Sequence, residues 1–267
     1  MRGLLEFLTY SNVYLAIGAG LVSLTTSILV FSTFRWELFY IPFSAGFLIY
    51  NFNRFTDLSE DTLNVPKRAL FTRKYGKTLL WISAIAYLIA LAIALRRNAY
   101  TFLVVITPLI LAFFYSFFRV KKFLVIKNIL VSFAWALSVL IVAAFFEVWN
   151  KEIFLLCFFF FLGLLINTII FDIKDIKGDR IHKIKTLPVV IGINKTKKVC
   201  YMILLSMFFV WLLQFSISFW NLLLLPFIVY VFSYIYFADE KRPWWYFGVF
   251  VDGEFFTLLP LLIIFSK

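Results

Sequence analysis

What this sequence lacks is polar chain. Only 15% of its 267 residues are charged and 63% are hydrophobic, and no stretch the size of a soluble domain is polar. Soluble domains are about 45–50% apolar, so an ordinary soluble fold is excluded and the chain reads as an integral membrane protein. Cysteine is nearly absent. Cys157 and Cys200 both fall in apolar segments and read as packing residues, silent about redox compartment. The single histidine, His182, lies in a loop beside Arg180 and reads as a solvated side chain. Acidic residues number 14 against 26 basic, a net charge of +12. In a soluble protein that excess would suggest nucleic acid. Here the concentration of Lys and Arg in cytoplasmic loops accounts for it, and no nucleic-acid partner is expected. The N-terminus shows no early small-residue cleavage pattern and carries Glu6, so it reads as a retained first helix.

What is present is a series of apolar runs. About 20 apolar residues cross a bilayer core as a helix. Nine runs qualify, at roughly 12–31, 36–53, 77–95, 99–118, 123–146, 153–172, 197–216, 218–237 and 246–266. With the N-terminus in the cytoplasm, nine spans put 21 Lys/Arg on the cytoplasmic side and 5 on the other. That asymmetry supports the count and the orientation. "NFNRFTDLSED" (51–61) and "FDIKDIKGD" (171–179) then open two cytoplasmic loops of about 24 residues, after the second and sixth spans. Asp57 and Asp61 precede Asp175 and Asp179 by 118 positions each. The expected fold is an all-α membrane protein, one domain over 1–267, with nine transmembrane helices: two parallel four-helix halves plus a ninth helix.

The acidic stretches are physically costly. Asn53, Asp57 and Asp61 run at i, i+4, i+8, and Asp172, Asp175 and Asp179 at i, i+3, i+7, each forming one helical face. Gly178 is expected to loosen the last turn of the second stretch. Like charges at that spacing cost about 0.2–0.5 kcal/mol, and carboxylates at a helix C-terminus oppose the macrodipole by about 0.3–1 kcal/mol. Either local Lys/Arg neutralise them or a hard divalent cation does. Mg²⁺ suits one or two carboxylates plus substrate phosphates, whereas the order of an EF-hand calcium loop is missing. Arg68 and Arg119 suit phosphate oxygens, with Tyr115, Lys121, Lys122, Lys127 and Asn128 nearby in the chain. Asn167 either lines a cavity or bonds another helix. Asp252 and Glu254 in "FVDGEFF" face the interior or cap an interface.

N-x3-D-x3-D at Asn53, Asp57 and Asp61, "DIKDIKGDR" with Asp175 and Asp179, "KTLPVVIG" (185–192), "YSFFRVKK" (115–122) and the nine-span plan together resemble the UbiA superfamily of intramembrane prenyltransferases over essentially the whole chain. The resemblance implies transfer of a prenyl group from a polyprenyl diphosphate to an acceptor, in a helical cavity open to membrane lipids. Asp57, Asp61, Asp175 and Asp179 would hold Mg²⁺ against the diphosphate, and Asn53 and Asp172 would complete or orient the ligand set. Arg68, Arg119 and Lys121 would bind diphosphate oxygens; Tyr115 and Asn167 complete the expected substrate-binding set. An allylic carbocation would form and be attacked by the acceptor. Many members have Arg-Pro before the asparagine equivalent to Asn12, Asn-Asp where this chain has Asn53-Arg54, and Arg-Pro where it has Arg68-Ala69; these departures bear on acceptor identity. An aromatic, quinone-precursor acceptor is expected first, and a lipid alcohol such as geranylgeranylglyceryl phosphate second. A transporter is the alternative of another class, supported by the paired repeat. Its sites usually lie at the midplane rather than at helix ends.

Overall fold

The computed structural model describes residues 2–56, 58, 61–62, 65–117, 124–181, 183–215 and 219–265. Every regular element among them is helical: α1 (Arg2–Tyr10), α2 (Val13–Phe31), α3 (Trp36–Thr56), α4 (Pro66–Arg97), α5 (Ala99–Phe117), α6 (Ile126–Phe146), α7 (Lys151–Ile181), α8 (Leu187–Ile191), α9 (Ile193–Phe215) and α10 (Leu225–Phe237). A short 3₁₀ turn (Phe219–Leu224) leads into α10. The chain ends as a π-helix (Tyr246–Val251), a 3₁₀-helix (Asp252–Leu258) and α11 (Leu259–Phe265). Among the described residues, α2, α4, α6, α7 and α9 are long and apolar enough to cross a membrane, and α5 and α10 are shorter apolar helices.

The helices pack as a ring. Each of α2 to α6 lies against the next, α6 against α7, α7 against α9, α9 against α10, and α10 against Asp252–Leu258, which returns to α2. Helix α2 also touches α6, so it sits inside the ring and is buried over most of its length. By contrast, α4 turns Trp81, Ile85, Leu88 and Leu95 outward, as a lipid-facing helix does. Two apolar cores result. One, around Leu38, Ile41, Tyr87, Val105 and Val142, joins α3 to α6. The other, around Phe159, Phe160, Met207, Phe227 and Phe255, joins α2, α6 and α7 to the C-terminal helices.

Two helices are longer than a bilayer needs. At 32 and 31 residues, α4 and α7 extend about 46–48 Å against a hydrocarbon core of about 30 Å. The loops expected after the second and sixth spans are therefore largely helix. Pro66 starts α4, eleven residues before the expected third span, and α7 runs nine residues past its expected end. Charge marks where a chain leaves lipid; it does not end a helix whose backbone bonds close internally. Gly178 likewise fails to loosen the turn, because α7 continues to Ile181.

Small residues let α2 sit at the centre. A Cβ at Gly20 would lie 2.6 Å from the Phe39 ring and 2.9 Å from the Phe39 carbonyl oxygen, the close approach that small residues permit between membrane helices. The backbone carbonyl cannot yield as a side chain does. Gly20→Val is expected to destabilise the bundle by about 1–3 kcal/mol, read as a lower melting temperature in detergent.

Candidate active site

The first acidic arm closes on itself. Leu58, Asp61 and Thr62 are helical, the Val65 amide donates to the Asp61 carbonyl at 2.8 Å, and proline at the first position of α4 restarts the helix. This brings Arg68 back onto Asp61 as a two-pronged pair, Nε to Oδ2 at 3.0 Å and Nη2 to Oδ1 at 2.5 Å. Arg54 adds a longer contact, 3.8 Å from Oδ2. Asp61 is only 5% exposed, so this charge assistance is what makes its burial tolerable. Behind the arm, Asn12 occupies the left-handed region at φ 63°, which asparagine accepts readily. Its amide donates to Asn51 Oδ1 at 3.1 Å, and its oxygen accepts from Arg54 Nε at 3.4 Å. Asn51 in turn donates to the Ser11 and Phe47 carbonyls. Asp57, the other carboxylate expected here, lies outside the described residues.

The second arm is a continuous helix, so the face shared by Asp172, Asp175 and Asp179 is real. Asp172 has both oxygens engaged, by Lys127 Nζ at 2.6 Å and Asn128 Nδ2 at 3.0 Å. Both partners come from the first turn of α6, whose preceding residue, Val125, is left-handed at φ 63°. That conformation is strained for a β-branched side chain. Asp179 is buried and accepts from Thr186 Oγ1 at 3.1 Å, so "KTLPVVIG" supplies an anchor for the arm. Asp175 is the most open of the three, its side chain 32% exposed with Lys174 Nζ 4.0 Å away. Lys174 lines one cavity with Arg54 and Arg68, the partners of Asp61, so the two arms meet at one end of the bundle. Local cations thus neutralise part of the acid, the first of the two expectations.

Two cavities lie beside Asn53 and Arg54. The larger, about 120 Å³, lies between α2, α3, α5 and α6. Its wall is mostly apolar and includes Pro42 and Pro108, both inside helices. Tyr50 and Trp135 line it as an aromatic pair, Trp135 Nε1 donating to the Tyr50 hydroxyl at 2.6 Å, with Phe255 stacked 4.8 Å behind Trp135. Asn53 also lines it, and its Oδ1 is buried with no hydrogen-bond partner among the described residues. The smaller cavity, about 60 Å³, brings the polar and charged side chains of Asn12, Arg54, Arg68, Lys174 and Asp252 together with the rings of Phe171 and Trp244.

Asn167 lines neither cavity. It donates to Glu254 Oε1 at 2.9 Å and reaches the Val251 carbonyl at 3.5 Å, the bond to another element rather than the cavity wall. Arg119, Lys121 and His182 lie outside the described residues, as does the side chain of Tyr115. Asn51, Thr186 and the Tyr50–Trp135 pair do not stand out in the sequence, and Lys174 enters there only as one of the local cations beside the acidic stretch. Lys174, inside the acidic motif, and Thr186, inside "KTLPVVIG", carry a signal that could find them. Among the described residues no three carboxylates, histidines or cysteines form a metal cluster, and Arg68 and Lys127 occupy Asp61 and Asp172 in its place. The donor set nevertheless suits Mg²⁺: every candidate ligand is a hard oxygen, and the buried Asn53 Oδ1 lacks the partner that such atoms normally have.

Fold and site together define a multi-pass helical membrane protein with two acidic arms and an apolar cavity that Asn53 lines. The chain belongs to the UbiA prenyltransferase family, which it matches over residues 13–251. It is 28% identical over 186 residues to the digeranylgeranylglyceryl phosphate synthase of Saccharolobus solfataricus, covering 68% of this chain and 65% of that protein. It is 29% identical over 150 residues to the synthase of the same name from Sulfurisphaera tokodaii, covering 55% and 54%. The match thus spans just under two thirds of the first relative and about half of the second. A UbiA homolog from Archaeoglobus fulgidus, solved bound to GPP and Mg²⁺, superposes with TM-score 0.69 at 17% identity over 97% of this chain and 99% of that one. A structure from work on digeranylgeranylglyceryl phosphate synthase in membranes gives 0.64 at 16% identity over 99% and 97%. At these identities the two structures share the fold.

Removing one partner of a buried ion pair leaves an uncompensated charge, at about 3–5 kcal/mol. Lys127→Met is therefore expected to lower the melting temperature in detergent well below that of the double variant Lys127→Met/Asp172→Leu, which removes both charges.

Proposed function

We propose that this protein is an integral-membrane prenyltransferase that moves the prenyl group of a polyprenyl diphosphate onto the hydroxyl of a lipid acceptor of the geranylgeranylglyceryl phosphate type. One observation carries the reading: an apolar cavity lined by Asn53, with an unpartnered oxygen, one residue before Arg54, which pairs with Asp61 as Arg68 does. A prenyl chain suits the apolar walls, and a diphosphate with its metal suits Asn53 and the charged arms. The aromatic acceptor expected first from the sequence gives way to the lipid alcohol, because the relatives named above are digeranylgeranylglyceryl phosphate synthases.

Asp57, Asp61, Asp175 and Asp179 would hold Mg²⁺, with the Asn53 oxygen oriented toward it and Asp172 fixing the arm through Lys127 and Asn128. When bound, Mg²⁺ supplies electrostatic stabilisation of the diphosphate leaving group. Arg68 is placed to exchange its carboxylate partner for diphosphate oxygens, and Arg119 and Lys121 would add charge from the segment after α5. Donors fixed beforehand at the leaving oxygens lower the cost of breaking the allylic C–O bond. Tyr50 and Trp135 line the cavity, where aromatic rings would stabilise the allylic cation and the apolar wall would keep water from it. Under this reading the chain is a single domain with nine spans, two four-helix halves and a ninth helix. The N-terminus and both acidic arms face the cytoplasm, where soluble prenyl diphosphates and Mg²⁺ are at hand.

Protein in lipid nanodiscs with Mg²⁺, geranylgeranyl diphosphate and geranylgeranylglyceryl phosphate is expected to form the diether, with 4-hydroxybenzoate a poor acceptor. Transfer to 4-hydroxybenzoate alone would restore the aromatic reading. Asp175→Ala should reduce turnover by at least ~100-fold while the protein still inserts and melts near the wild-type temperature; near-normal turnover would sink the assignment.

A further inference from the structure

The C-terminal segment is built around one carboxylate. The π-helix Tyr246–Val251 passes into the 3₁₀-helix Asp252–Leu258, and this change of pitch disturbs the regular pattern of backbone acceptors. Irregular backbone at membrane depth persists only where neighbours satisfy it, and π turns recur at functional sites. Three successive carbonyls here receive side-chain donors from three different helices. Tyr14 of α2 donates to Val249 at 3.0 Å, Tyr230 of α10 to Phe250 at 2.7 Å, and Asn167 of α7 to Val251 at 3.5 Å. A Cβ at Gly253 would stand 2.8 Å from the Tyr230 hydroxyl and 3.1 Å from that of Tyr14, so a side chain there would push the Tyr230 hydroxyl aside. Glu254 is fully buried, accepting from Asn167 and from the Tyr234 hydroxyl at 2.8 Å. The backbone on both sides of Asp252 is thereby pinned, and Asp252 itself lines the smaller cavity.

Three cations share that cavity with Asp252, set among Tyr10, Tyr14, Phe171 and Trp244. Arg54 and Lys174 line it with Arg68, and the fields of all three reach Asp252. Lys174 is held over the Phe171 and Phe247 rings at 5.6 and 6.0 Å. The reaction proposed above needs two things that the diphosphate site does not supply: a seat for the acceptor's anionic head and a group to take its hydroxyl proton.

We propose that this cavity is the acceptor site, with Arg54 and Lys174 binding the anionic head and Asp252 acting as the base. The inference rests on the prenyltransferase reading. As the allylic C–O bond breaks, its electron pair leaves with the diphosphate. The acceptor oxygen forms the new C–O bond to the prenyl C1, and its proton passes to the Asp252 carboxylate. Atoms and charge balance without a further reactant.

The test uses the whole protein in nanodiscs with Mg²⁺, geranylgeranyl diphosphate and two acceptors, geranylgeranylglyceryl phosphate and uncharged geranylgeranylglycerol. Binding of geranylgeranyl thiolodiphosphate is measured separately. Asp252→Asn keeps the shape but cannot take the proton. It is expected to lower kcat with the phosphate acceptor by about 100-fold or more, leaving the acceptor KM and thiolodiphosphate affinity within about threefold of wild type. Arg54→Met and Lys174→Met are expected to raise the KM for the phosphate acceptor about tenfold, with little change for the uncharged one. The assignment falls if Asp252→Asn turns over within about threefold of wild type, or if it loses thiolodiphosphate binding in parallel with turnover. Failure of the wild-type protein to prenylate either acceptor would overturn the prenyltransferase reading, and this inference with it.

Discussion

Neutralising carboxylates at the ends of membrane helices is the constraint on which the rest of this structure depends. Asp61, Asp172 and Asp179 are all nearly buried, and a bare carboxylate there would be prohibitive. Each has a partner delivered by a different chain segment: Arg68 from the first turn of α4, Lys127 and Asn128 from the first turn of α6, Thr186 from the residue before α8. These pairs hold the starts of α4 and α6 against the acids and tie α7 to α6 and to the residue before α8. They also store positive charge beside the acids, ready to be re-partnered when an anionic ligand arrives. Stability and function use the same side chains, so a variant at this end of the bundle has to be read for both.

The other end of the argument is apolar. The cavity between α2, α3, α5 and α6 owes its walls to Gly46, Ala19, Ala45 and Ala112, and to two intrahelical prolines. Small side chains and missing backbone donors leave space that a Leu-rich helix would fill. Beyond the polar end of the bundle, the π and 3₁₀ turns around Asp252 are kept in place by hydroxyl and amide donors from α2, α7 and α10. Regular helices thus form the frame, and the irregular stretch appears only where neighbouring helices can satisfy it.

Much of the frame was legible in the sequence. Apolar run length predicted an all-helical chain, of which α2, α4, α6, α7 and α9 are long and apolar enough to cross a membrane among the described residues, and the spacing of Asp172, Asp175 and Asp179 predicted their shared face, because helical period is a local property. The extents of α4 and α7 were not legible, since the expected ends followed the first charges and a helix can carry charges beyond the lipid. The pairing of Lys127 with Asp172, 45 positions apart, was equally hidden; it depends on how α6 and α7 pack. Asn167 left two readings open, and only the position of Glu254 distinguishes them. Asp252 stood out as a costly charge, yet its access to the smaller cavity follows from the π turn, for which the sequence offers no periodic signal.

The central claim is that the two acidic arms form one diphosphate site at the mouth of the apolar cavity. A structure of the protein with Mg²⁺ and geranylgeranyl thiolodiphosphate tests it most directly. The account predicts the prenyl chain between α3 and α6 against Tyr50 and Trp135, with the diphosphate between Asn53, Asp61 and Asp175 and Arg68 turned from Asp61 onto its oxygens. A diphosphate bound away from both arms, or a prenyl chain on the outer face of α4, would contradict it.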